Sequence, residues 1–195
     1  MVSEFSWVSF LKQFSSELLD DKDISSTLSP EIKESGWLGF QSASEQDVTE
    51  LEKKIHLHLP PSYRQFLLAT NGWQQIGKFV YRLLPANEVD WFRMNNQDWI
   101  EAYAGLTVPD EKYFIYGPSQ DPVFIRSEYL KETLQISDIG DSSVCLLNPM
   151  VQNERGEWEA WFLANWLPGA IRYESFKKLI EGQREQFLGL TNEGS

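Results

Sequence analysis

Apolar positions recur at helical spacing from the start of the chain. Phe5, Val8, Leu11, Ser15 and Leu18 share one face, and Phe10, Phe14 and Leu19 widen it, which predicts a helix from Glu4 to about Asp21. A polar break follows, Asp20-Asp21-Lys22-Asp23 and then Ser25-Ser26-Thr27, with Pro30 beyond it. Ser44 and Asp47 have the spacing of a capping box, and Val48, Leu51 and Ile55 supply the buried stripe of the helix it would start. Leu59-Pro60-Pro61 ends that helix and opens another, with Tyr63, Phe66 and Leu67 inward and Asn71-Gly72 as its stop.

The middle of the chain reads as shorter pieces. Phe79 to Leu84 predicts a strand closed by Pro85. Asn87 predicts the cap of a third helix running to about Tyr103, with Val89, Phe92, Trp99 and Tyr103 as its core stripe. At about 100° per residue, Glu88, Trp91 and Asp98 flank that stripe on one side, and Asp90, Met94 and Glu101 on the other. Lys112–Tyr116 and Pro122–Ile125 read as strands, and the continuous apolar run Val144–Leu147 as a central one. Asn153–Gly156 is a turn into the alternating run Glu157–Trp166, where Trp158, Ala160, Phe162 and Ala164 face one way and Glu157, Glu159, Trp161 and Leu163 the other. Ser175 caps a last helix with Phe176, Leu179, Ile180 and Phe187 on one side. Helices first, strands in the middle and a helix at the end predict an α+β fold.

Charge adds a direction to this picture. The net charge is −12, and it is concentrated. Residues 1–50 hold ten acids and three bases, residues 86–111 hold six acids and one base, and the remainder balances. Such stretches repel nucleic acid, so direct DNA or RNA binding is not expected. They would steer in a basic protein, although acidic surfaces also serve solubility alone. The partner-facing candidates are Glu88, Asp90, Trp91, Asp98 and Glu101, with Asp110 and Glu111 nearby. Aromatics are 14% of the chain, enough to furnish both core and binding anchors. One cysteine allows no internal disulfide, no basic and apolar leader opens the chain, and no apolar run has the length of a membrane span. The expected compartment is the cytosol, with no membrane partner.

Each reactive constellation in the sequence also has a plainer reading. His56 and His58 do not share a helical face and have no third ligand near in sequence, so a surface helix end is expected and no metal site. Cys145 sits in an apolar strand and reads as a buried hydrophobe rather than a nucleophile. Glu157 and Glu159 would stand about 6.5–7 Å apart on one exposed strand face. That separation occurs in inverting glycosidases, whose carboxylates flank a cleft from different elements, so a carbohydrate-active or other small-molecule enzyme is kept as an alternative. Gly36-Trp37-Leu38-Gly39 lacks the spacing and the lysine of a phosphate loop. No cofactor is expected.

Trp37-Leu38-Gly39-Phe40, the capped Ser44 helix, Leu59-Pro60-Pro61-Ser62-Tyr63-Arg64-Gln65-Phe66-Leu67 and Asn71-Gly72 together resemble the signature of the SUKH superfamily, in its Smi/Knr branch. Ile136–Gly140, Leu146-Leu147-Asn148-Pro149, the Gly156–Trp161 strand and the Tyr173–Phe176 helix start are similar to a bacterial subset, so the likeness runs from about Gly36 to Phe187. The resemblance implies a single α+β domain at 36–190, with a mixed, mostly antiparallel β-sheet packed against helices. An N-terminal helical extension at 1–35 and a frayed tail at 191–195 would lie outside it. It implies no catalytic residues. It implies an immunity protein that binds and neutralises a toxin domain, often a nuclease and, given the acidic stretches, a basic one, or else a cytosolic regulator of the Smi/Knr type acting through protein contacts.

Overall fold

The amphipathic stripes bury themselves largely as the spacing requires, except at the start of the first helix, where Phe5 and Val8, expected inward, are exposed and Trp7 is buried instead. In the computed structural model, which describes residues 5–80 and 82–193, α1 (Trp7–Asp20) turns Trp7, Leu11, Phe14 and Leu18 inward. Glu4, where that helix was expected to start, lies outside the described residues. Two short helices occupy the polar break, α2 (Lys22–Thr27) capped by Asp21 and α3 (Pro30–Ser35) capped by Ser29. The capping box is formed at the start of α4 (Glu45–Ile55), and α5 (Pro61–Ala69) begins at its proline. Gly72 follows α5 with φ of 103°, and a Cβ there would meet the Leu83 carbonyl at 2.8 Å, so both its backbone angle and its surroundings require glycine.

The chain then reaches the sheet. It contains β1 (Asp90–Trp91), a 3-10 turn at Phe92–Met94, α6 (Gln97–Ala102), α7 (Asp110–Tyr113), α8 (Ser127–Leu130), β2 (Leu134–Gln135), β3 (Ser143–Gln152), β4 (Trp158–Ala164), β5 (Ala170–Tyr173) and α9 (Phe176–Glu193). The strands lie side by side in sequence order, and every ladder among the described residues is antiparallel. Pro149 has no N–H to give, and the β3–β4 register shifts between Asn148 and Gln152 around it. The result is an α+β fold.

Helices α1, α4, α5 and α9 cover one face of the sheet. Trp7, Phe66 and Phe176 meet there, with ring centroids 5.4 and 5.6 Å from Trp7 and 4.9 Å between the phenylalanines. Cys145, Leu147, Ala160 and Phe162 supply the sheet's side of that core. The other face is covered as well. Phe92, Tyr113, Ile125 and Leu130 pack on Val144, Leu146, Trp161 and Leu163. Among the described residues no helix is long and apolar enough to cross a membrane.

Several expected elements take other forms. Phe79–Leu84 contributes only a bridge at Leu83, to Trp73 and Ser137, and Tyr81 lies outside the described residues. The helix expected over 87–103 is broken into a turn, β1, the 3-10 turn and α6, because Val89 enters one core and Phe92 the other. A single helical stripe cannot serve both sides of a sheet edge. Lys112–Tyr116 is the end of α7 and coil: Pro109, Asp110 and Glu111 favour a helix start, and only Tyr113 of this run is buried. Pro122–Ile125 is a turn held by Asp121 Oδ1, which accepts from the Val123 amide at 3.1 Å. Strands β2 and β5 are not predicted by the sequence pattern, and α9 extends to Glu193, into the 191–195 tail expected to fray.

Candidate functional site

Helix α4 presents its polar side to a neighbouring turn. Ser44 Oγ accepts from the Asp47 amide at 3.1 Å, and Asp47 Oδ2 accepts from the Ser44 amide at 2.7 Å. The Ser44 hydroxyl, which donates to the same Oδ2 at 2.7 Å, and then the Ser44 amide hold the Asp47 carboxyl below its ordinary range. With Val48, Leu51 and Ile55 inward, helical spacing turns Asp47, Glu50 and Lys54 outward. Opposite them, Asn71 Oδ1 accepts from the Ala86 amide at 2.7 Å and fixes the turn at 86–88. Between helix and turn lies a cleft of about 360 Å³ lined by Asp47, Glu50, Leu51, Lys54, Asn71, Ala86 and Asn87. Lys54 Nζ donates to the Val89 carbonyl at 2.8 Å and pairs with Asp90 at 2.9 Å. The two acidic stretches, far apart in sequence, therefore meet at this cleft.

The seven residues singled out from the sequence do not form one patch of free charge. Glu88 pairs with Arg82 at 2.7 Å, and the same guanidinium pairs with Asp138 at 2.8 Å. Asp90 is held by Lys54; burial pushes its carboxyl up, but Lys54, the Trp91 amide and Arg93 outweigh that and leave it below the usual range. Asp110 pairs with Arg126, which also lies 4.6 Å from the Tyr113 ring centroid. Trp91 is half-buried against the helix-side core, with Arg93 stacked on it at 4.6 Å. Asp98, in the first turn of α6, and Glu111 are exposed, and Glu101 accepts from Gln97 at 3.3 Å. Among the described residues, Asp98, Glu101 and Glu111 have no ion pair, so internal cations occupy half of the six acids in this stretch.

The paired glutamates are reassigned. Glu159 is 1% exposed rather than on an open face, because the 92–130 segment covers that side of the sheet. Its carboxylate accepts from Tyr113 Oη at 2.7 Å, Tyr116 Oη at 2.9 Å, Asn148 Nδ2 at 2.8 Å and Trp161 Nε1 at 2.6 Å, with Arg172 Nη1 at 4.0 Å. Burial first, and then the Glu159 charge, push the Tyr113 phenol up, so it stays a donor. Glu157 instead caps α5 from a distance: its carboxylate accepts from the Ser62 amide at 2.9 Å and hydroxyl at 2.6 Å. Pro60, the N-cap residue itself, offers no side-chain cap. Both glutamates border a cavity of about 180 Å³, below the roughly 300 Å³ at which ligand pockets begin, and both carboxylates already accept structural hydrogen bonds. The carbohydrate-active reading loses its geometric basis.

The other candidates are plain. His56 is an exposed cap residue with φ of 59°, and His58 is exposed, with Nδ1 3.4 Å from Glu52. Among the described residues no group of three or more His, Cys, Asp or Glu is placed to hold a metal. Cys145 is buried, and that desolvation pushes its thiol up to about 12. Asp47, Glu50 and Asn87 were not singled out from sequence. The i, i+3 spacing of the first two opposite the apolar stripe was the available signal, whereas Asn87 reads as a helix cap until the turn is seen. The model of the SMI1 / KNR4 family (SUKH-1) matches residues 42–182. No match was found among curated proteins.

Proposed function

This chain belongs to the SMI1 / KNR4 family (SUKH-1), and from that premise we propose that it is a non-catalytic protein-binding module, an immunity protein that neutralises a basic toxin domain. The observation that carries the reading is the α4 cleft, where Asp47 and Glu50 of one acidic stretch face Asn87 of the other. A cationic side chain entering it would find carboxylates with no ion pair of their own among the described residues, since Lys54 is committed to Asp90. Asp98, Glu101 and Glu111 would extend the attraction by steering. Acids in these positions would stand in for the phosphates that a nuclease surface expects. The docking residues are then Asp47 and Glu50 with Asp98, Glu101 and Glu111, while Glu88, Asp90 and Asp110 shape the surface through their internal pairs.

The test is association kinetics between the full chain and basic toxin domains encoded by its own organism. Glu50→Lys and Glu101→Lys suit it, because neither residue caps a helix or holds an internal cation. Each should slow association about tenfold at low ionic strength, and the effect should shrink as salt screens the field. Binding indifferent to salt and to both reversals would remove the electrostatic mechanism.

A further inference from the structure

Strand β5 is an edge of the sheet, paired among the described residues only with β4. An edge strand offers its outward N–H and C=O groups to any other strand. Here three of the four outward groups of Ala170 and Arg172 are already taken. The Arg172 amide donates to Gln120 Oε1 at 2.7 Å, and Gln120 Nε2 donates back to the Arg172 carbonyl at 3.1 Å. One side-chain amide thus copies the reciprocal pair a neighbouring strand would make. Two residues back along the edge, the Ala170 amide donates to the Pro122 carbonyl at 3.0 Å. That approach depends on Gly169, where a methyl group would sit 2.2 Å from the Pro122 oxygen.

The covering segment is also tied down beneath. The Arg172 guanidinium donates to the Tyr113 carbonyl and, at 3.4 Å, to the Ile115 carbonyl. Gln120 Nε2 reaches the Gly117 carbonyl at 3.3 Å. The outer side of the segment is a poor template for further strands, since Pro118 and Pro122 have no N–H. The opposite edge, β1, is two residues long and carries Lys54 on the Val89 carbonyl, which leaves β5 as the longer edge.

We propose that residues 117–123 are a strap over the outer edge of β5, and that the strap prevents a second copy of this chain from adding to the sheet there. Gln120 is its hydrogen-bonding element and Gly169 its seat. The cover is made by a side chain and one carbonyl, so it occupies most of the edge without presenting a new one.

Two variants of the full chain test this by separate routes. Q120A deletes both hydrogen bonds to Arg172. G169A leaves Gln120 intact and places a methyl against Pro122. In dilute Q120A, hydrogen exchange at the Arg172 amide should be about fivefold faster than in the wild type. Sedimentation should show both variants self-associating about tenfold more tightly or better than the wild type, with unchanged far-ultraviolet circular dichroism. At high concentration the Arg172 amide should regain protection, as edge-to-edge pairing requires. Folded Q120A that associates no more than the wild type would overturn the proposal. So would association that leaves Arg172 unprotected, because the contact would then lie elsewhere.

Discussion

Glu159 and Glu157 are two residues apart and do different work. Glu159 accepts four hydrogen bonds in a buried site and sits opposite the wholly buried Arg172. Removing one partner of such a set leaves the rest uncompensated in a region water cannot reach. Glu159→Ala should therefore cost about 3–5 kcal/mol in chemical denaturation. Glu157→Ala removes one helix cap at a half-buried position and should cost about 1 kcal/mol. Catalytic residues would reverse the expectation, since their truncation seldom costs stability on that scale. A small loss for Glu159→Ala would mean that the cluster is far less coupled than its distances indicate. None of this was legible in the sequence. Alternation along 158–164 gives the two faces correctly, although Glu157, just before the strand, reaches α5 instead of sharing Glu159's surroundings, and it says nothing of which segment will come to lie on the second face.

Among the elements, legibility followed length and periodicity. The stripes of α1, α4, α5 and α9 and the runs of β3 and β4 were readable because each element presents one consistent face over two turns or more, or over several strand pairs. Segment 86–130 was not readable for the opposite reason. Its buried residues, Val89, Phe92, Tyr113, Ile125 and Leu130, are divided between two cores, so no single period describes them. β2 pairs over two residues, and β5 places Arg172 where an apolar side chain would be expected. The candidate cleft shares this division. Its α4 wall was visible as spacing, whereas its other wall depends on one hydrogen bond from the Ala86 amide to Asn71. The readable helices can be tested by their packing. Phe14 of α1 is wholly buried, with Trp73 stacked at 6.4 Å and Phe187 at 6.3 Å. Phe14→Ala should cost about 3–5 kcal/mol in unfolding free energy. A cost near zero would show α1 to be a loose appendage rather than a core element.

For the whole molecule, the excess of acids sets how stability responds to pH, and the sign follows from where each group is held. The carboxyls of Asp21, Asp47 and Asp90 lie below their ordinary values. For Asp21 and Asp90, burial acts in the opposite direction and is outweighed by hydrogen bonds and lysines; for Asp47, the Ser44 hydrogen bonds suffice. Groups lowered by folding contribute stability above the unfolded value, about 3.9 for aspartate, and lose it as pH falls through the folded values. At the other end, burial pushes Cys145 and Tyr173 up to about 12 each. Those groups contribute while neutral in both states, below about 8.5 for the thiol and 10 for the phenol, and the contribution is lost as pH rises from there through 12. Unfolding free energy measured with urea should hence be nearly level from about pH 5 to pH 8 and decline on both sides. Replacing Lys54 with Met should lessen the slope on the acid side, because Asp90 then loses the partner that holds it ionised. An acid limb unchanged in that variant would mean the Lys54–Asp90 pair, which joins α4 to β1 beside the cleft, does not form in solution.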